Sequence, residues 1–182
     1  MTGLPLAHLT ATGVGPLFDG VAHFVQSPDD LAATLALSGI AGLQGTRQSR
    51  RILFALPGAW IAGGLIGMLI PGFAIGDAAM GLSLLACGCL LAAGPRVPLN
   101  AATALSVAAG AFRGCANMSG FPFSPDALIT LIGIAGSIFC CCALFAALVV
   151  QLRERWMRVA VQVFGSWIAA TGLLLTGWAL RR

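Results

Sequence analysis

Residues 127–150 read ALITLIGIAGSIFCCCALFAALVV, 24 positions without a charged side chain. A bilayer core is crossed by about 20 apolar residues in a helix. At about 1.5 Å per residue this run reaches about 36 Å, enough to cross with some tilt. Its flanks carry matching punctuation. Ser124-Pro125-Asp126 ahead of it reads as an N-cap, a proline in the first helical position and an acid in the first turn. Arg153-Glu154-Arg155-Trp156-Met157-Arg158 behind it reads as an interfacial topology signal with an aromatic anchor. Contact with anionic lipid is the lesser reading of that run.

The rest of the chain repeats the theme. Five further strong apolar stretches run approximately Leu31 to Leu43, Ile52 to Ile70, Ala78 to Ala93, Leu99 to Met118 and Val159 to Leu180. A weaker stretch, about Leu4 to Val25, is diluted by glycine, threonine and polar residues. It either spans with a protein-facing polar side or is re-entrant and buried by its neighbours. Ser27-Pro28-Asp29-Asp30 repeats the helix-start signal, and Pro71-Gly72, Gly94-Pro95 and Pro98 mark breaks. The chain has 182 residues, of which 58% are hydrophobic and 9% charged, with no lysine and no tyrosine. Soluble domains carry roughly 25% charged residues. A soluble globular fold, a disordered chain and a nucleic-acid binder are therefore excluded. The expected fold is all-α: one polytopic transmembrane bundle over residues 1–182, with six to seven membrane segments. The first arginine is Arg47, so no positive region precedes the first apolar stretch, which is read as part of the mature protein.

Arginines orient such a bundle. They cluster in the loops at 44–51, 94–98 and 151–158, while the opposite loops carry Asp29, Asp30, Asp77 and Asp126. The positive-inside rule makes the arginine loops cytoplasmic in a multi-pass protein of a bacterial inner membrane. Arg181 and Arg182 are the discordant pair. An internal repeat also shows. Phe18-Asp19-Gly20-Val21-Ala22-His23 matches Phe112-Arg113-Gly114-Cys115-Ala116-Asn117, and each is soon followed by Ser-Pro-Asp. This suggests parallel repeats over 4–70 and 99–180 with a linker helix at 78–93, a 3+1+3 plan.

Those two motifs hold the chain's most informative polar residues. Asp19 and His23 lie four apart and share a helical face, as do Arg113 and Asn117. Asp19 and Arg113 fall about 7–9 Å inside their helix ends. Ionisable groups at that depth face a bundle interior or a water-filled cavity. A carboxylate and a neutral imidazole on one face suit a divalent transition metal, with binding weakening as pH falls. The competing reading is an Asp19–Arg113 ion pair that joins two helices, with His23 and Asn117 hydrogen-bonding across them.

Gly15-Pro16-Leu17-Phe18-Asp19-Gly20-Val21-Ala22-His23-Phe24, then Ser27-Pro28-Asp29-Asp30-Leu31, resembles the opening of the HupE/UreJ family. Phe112 to Asn117 is similar to that family's later intramembrane motif. The resemblance implies a small polytopic bacterial membrane protein linked to nickel or cobalt uptake. In that reading Asp19 and His23 are metal ligands, Asn117 is an auxiliary oxygen ligand, and Arg113 gates or balances charge. The family pattern has a His before the Pro and an adjacent Asp-His pair. Here Gly15 precedes Pro16, three residues separate Asp19 from His23, and Arg113 stands where the later motif has His.

Other residues carry weaker signals. Six cysteines, at 87, 89, 115, 140, 141 and 142, all fall in apolar stretches and read as packing residues. Consecutive residues point about 100° apart on a helix, so Cys140-Cys141-Cys142 cannot converge on one metal. Cys115 is a minor candidate sulfur ligand. His8 lies about 22 Å from His23 along a continuous helix and belongs near the opposite interface. Asn100 reads as a cap of the stretch from Leu99 to Met118, the fifth segment when the weak first one is counted. No nucleotide loop, dinucleotide fingerprint, zinc-protease helix or nucleophile elbow is present, so no enzyme and no resident cofactor is expected. The expected partners are the lipid bilayer and a transported divalent metal, with no nucleic acid. The alternatives are an accessory membrane subunit whose polar cluster is structural, or a transporter of a small non-metal solute.

Overall fold

The computed structural model describes residues 12–70, 75–94 and 97–181. His8, the Pro71-Gly72 break, Pro95, Arg96 and Arg182 lie outside them. The described residues form seven helices and no strand. These are α1 (Pro16–Gln26), α2 (Pro28–Gln44), α3 (Thr46–Leu69), α4 (Asp77–Ala93), α5 (Leu99–Met118), α6 (Pro125–Val150) and α7 (Arg155–Ala179). Helices α3, α6 and α7 are long and apolar enough to cross a membrane, and α4 is a shorter apolar helix. The expected all-helical class is therefore seen, with three helices suited to a bilayer by length and composition.

Punctuation in the sequence explains the helix boundaries. Pro125 opens α6, and the Ser124 hydroxyl accepts the Ala127 N–H at 3.2 Å, as a side-chain cap should. The similar Ser27 behaves differently. It precedes α2, but its hydroxyl donates to the His23 carbonyl at 2.7 Å, ending α1 rather than capping α2. Gly94 stops α4 in a left-handed conformation. Asn100 is not a cap. Pro98 holds that place, and the Asn100 side-chain oxygen accepts from Arg51 Nη1 at 3.0 Å.

The first segment is short in its helical part. Eleven residues of α1 rise about 16 Å, too little to cross a bilayer. Leu17 approaches Gly133 and Gly20 approaches Thr130, so α1 runs antiparallel along the first half of α6. This half-length helix begins at Gly15-Pro16, beside the middle of α6.

Small residues set the remaining packing. A Cβ on Gly63 or Gly67 of α3 would overlap the backbone of Ala111 or Cys115 on α5. One on Gly114 would overlap the Trp60 backbone. Gly81, Gly88, Gly165 and Gly172 do the same between α4 and α7. Without a hydrophobic drive between helices in lipid, such close backbone approach supplies the association energy. These pairs make α3 parallel to α5 and α7 antiparallel to α4. Helices α2, α4 and α6 therefore start at one end of the bundle, with Asp29, Asp30, Asp77 and Asp126. The other helices finish at that acidic end. Arg47, Arg50, Arg51, Arg153, Arg155 and Arg158 mark the opposite, arginine end.

The buried core includes Leu37, Ile52, Leu56, Trp60, Leu84, Leu91, Leu131, Ile134 and Ile138. Phe54, Leu144, Trp167, Leu174 and Trp178 stand outward, as lipid-facing side chains do. The two matched motifs use their glycines alike, but against non-equivalent neighbours. Gly20 closes α1 onto α6, whereas Gly114 closes α5 onto α3.

Candidate functional site: a buried arginine on two aspartates

Arg113 lies in α5, five residues before its C-terminal end, and is fully buried. A guanidinium there needs partners for its donors and its charge. Nη1 donates to Asp30 at 2.6 Å and to Asp29 at 3.2 Å. Nη2 donates to the Ser83 hydroxyl at 3.1 Å and to the Met80 carbonyl at 3.4 Å. Asn117, one turn along α5, donates to the other Asp30 oxygen at 2.8 Å. The first turn of α2, the start of α4 and the last turns of α5 thus meet at one point. Both carboxylates sit at the N-terminus of α2, where the helix dipole favours negative charge. With both ionised, two aspartates against one arginine leave the cluster at a formal −1.

Asp29 and Asp30 differ in access. The Asp30 side chain is 2% exposed, the Asp29 side chain 31%. Asp29 opens into a cavity of about 480 Å³ between α2, α4 and α7, which Asp77 also lines. The cluster is thus anchored in the core on one side and reached from the acidic end on the other.

One reading of the sequence paired Asp19 with Arg113, and in the structure the two take different partners. Arg113 and Asn117 do come together, but with Asp29 and Asp30. Asp19 instead accepts the hydroxyl and backbone N–H of Thr12, both at 2.6 Å. Gly13 and Gly15 adopt positive φ in the strand of chain that folds back to make this contact. His23 lies on α1 with its Nε2 buried and without a hydrogen-bond partner. Among the described residues, no three His, Cys, Asp or Glu side chains group as a metal-binding set.

Asp29, Asp30 and Ser83 were missed as site residues because acids beside a proline read as helix-start punctuation. A signal existed. Arg113 is the one charged residue inside its stretch, and the arginine pattern had put Asp29 and Asp30 at the same end of the bundle. The cysteines fan out as helical geometry requires, with Cys140 exposed, Cys141 intermediate and Cys142 buried. Cys142 packs 3.1 Å from the Ser38 hydroxyl.

These features define a small polytopic helical membrane protein with a buried charge cluster near one face. The chain belongs to the HupE/UreJ family, whose model, described as HupE / UreJ protein, matches residues 1–175. That family is associated with nickel or cobalt transport or with accessory roles, not with catalysis. No curated protein and no solved structure matches the chain.

Proposed function

We propose that the chain is a secondary permease that carries a divalent transition-metal cation, nickel or cobalt, across a bacterial inner membrane. The observation that carries this reading is Asp29, held by a buried arginine yet open to a cavity it shares with Asp77. A cation drawn into that cavity meets two carboxylates and competes with Arg113 for one of them. Arg113 then acts as the charge-balancing gate. Asp19 and His23 are the proposed oxygen and nitrogen ligands on α1, with Asn117 as an auxiliary oxygen. His23 supports this through its unpartnered Nε2. Asp19 must first release the Thr12 donors.

The test is nickel and cobalt accumulation in cells lacking their own uptake systems, at matched membrane expression. Wild type should accumulate metal, and Asp29→Asn, Asp19→Asn and His23→Ala should each lose most of it. Loss in Asp29→Asn alone would move the ligand site from α1 to α2. No uptake by well-expressed wild type would favour the second reading, an accessory membrane subunit. That reading draws on the hydrogen bonds of Arg113 and Asn117 to Asp30, a pattern that also serves as interhelical glue.

A further inference from the structure

A second cavity, of about 590 Å³, lies at the arginine end, between the C-terminal turns of α2 and α4 and the first turns of α7. Gln44, Arg155, Arg158 and Gln162 line it, over an apolar floor of Ile40 and Leu91. Among the described residues that line it there is no carboxylate. Helix C-termini would ordinarily make such a place negative. Here three of those carbonyls have partners: Arg158 donates to the Leu43 carbonyl, and the Gly94 N–H bonds to the Leu90 and Leu91 carbonyls. The cavity is left with two guanidinium groups, two side-chain amides and the N-terminal end of α7, which adds a partial positive charge. The Gln44 Nε2 is buried and has no acceptor.

We propose that this cavity binds a phosphate group. The arginine fork pairs two donors with two phosphate oxygens, and amide donors complete such a site without adding charge. The volume far exceeds a bare phosphate, so the phosphate carries an organic remainder over the Ile40–Leu91 floor. Trp156, 67% exposed beside Arg155, lies where aromatic side chains meet lipid headgroups. A basic pocket between helices at that depth suits an anionic lipid headgroup. A free phosphate ester offers the same chemistry.

The whole protein in detergent distinguishes these. Native mass spectrometry would compare retention of phosphatidylglycerol and phosphatidylcholine, and thermal melting would follow added glycerol phosphate and inorganic phosphate. Preferential retention of phosphatidylglycerol identifies a lipid headgroup. Stabilisation by glycerol phosphate, with no lipid preference, identifies a free ester. In either case Arg155→Gln should weaken binding about fivefold. Gln162→Leu should also weaken it, and both variants leave the Arg158–Leu43 contact in place. Arg47→Gln removes the same charge at the same end but outside the cavity, and should change little. The proposal is overturned if none of these ligands binds, or if Arg47→Gln matches Arg155→Gln. None of these readouts depends on metal transport.

Discussion

Arg113 shows how one side chain organises the site. Removing it leaves two carboxylates facing each other, one of them buried, and breaking such a pair costs about 3–5 kcal/mol. Arg113→Gln should therefore lower the thermal midpoint in detergent sharply. Combining it with Asp30→Asn should recover part of the loss, and a double-mutant cycle of melting curves measures that coupling. Additive losses would show that the two groups do not interact. Asp19 makes a different, local prediction. Its carboxylate accepts both Thr12 donors, which tie the segment ahead of α1 back onto that helix. Thr12→Val removes the hydroxyl donor and should speed hydrogen exchange around residues 12–19 while the core stays protected. Unchanged exchange would dissociate the Thr12 contact from the order of that segment. At this scale the sequence revealed which residues were unusual, but not who meets whom. Helical spacing places Asp19 beside His23 and Arg113 beside Asn117. The partner across the gap depends on how α1, α2 and α5 are arranged.

Among the elements, the glycine-lined pairs α3–α5 and α4–α7 hold the bundle together. Gly63→Ala should destabilise it by about 1–3 kcal/mol, because the added methyl meets the Ala111 backbone, which cannot swing away. Gly136→Ala is the control. It adds a methyl where nothing lies within 4 Å, and the better helix propensity should leave stability equal or higher. Unfolding in a detergent titration compares the two, and equal effects would refute the close-packing account. Helix spans were legible in advance because apolar runs and proline punctuation are local. The stretch from Leu99 to Met118 coincides with α5 at both ends. Pairing was not legible. Glycine-rich faces occur on α3, α4, α5 and α7 alike, and nothing local says which face meets which.

Across the described residues, most acids gather at one end of an apolar bundle and most arginines at the other, with Arg113, Glu154 and Arg181 as exceptions. We expect the acidic end to face outward and the arginine end inward. In a variant without reactive native thiols, Asp77→Cys should react with a membrane-impermeant thiol reagent on intact cells. Arg47→Cys should react only after the cells are opened. Labelling of both from the same side would reject a bundle that carries its two ends to opposite faces. The cavities follow the same polarity. The acidic-end cavity leads to Asp29, and the arginine-end cavity presents Arg155 and Arg158, both between α2, α4 and α7.

The sequence by itself determined the solvent, the helical class, most helix limits and the segregation of charge. These depend on composition and on nearest neighbours along the chain. The family was also legible from two short motifs, since their spacing survives without three-dimensional information. Only the tertiary structure decided that Arg113 joins Asp29 and Asp30 while Asp19 turns back to Thr12. Three helix ends contribute to that cluster, and its two aspartates lie more than 80 residues from Arg113. Such a meeting depends on which glycine faces interlock, and that is a property of packed helices rather than of any one of them.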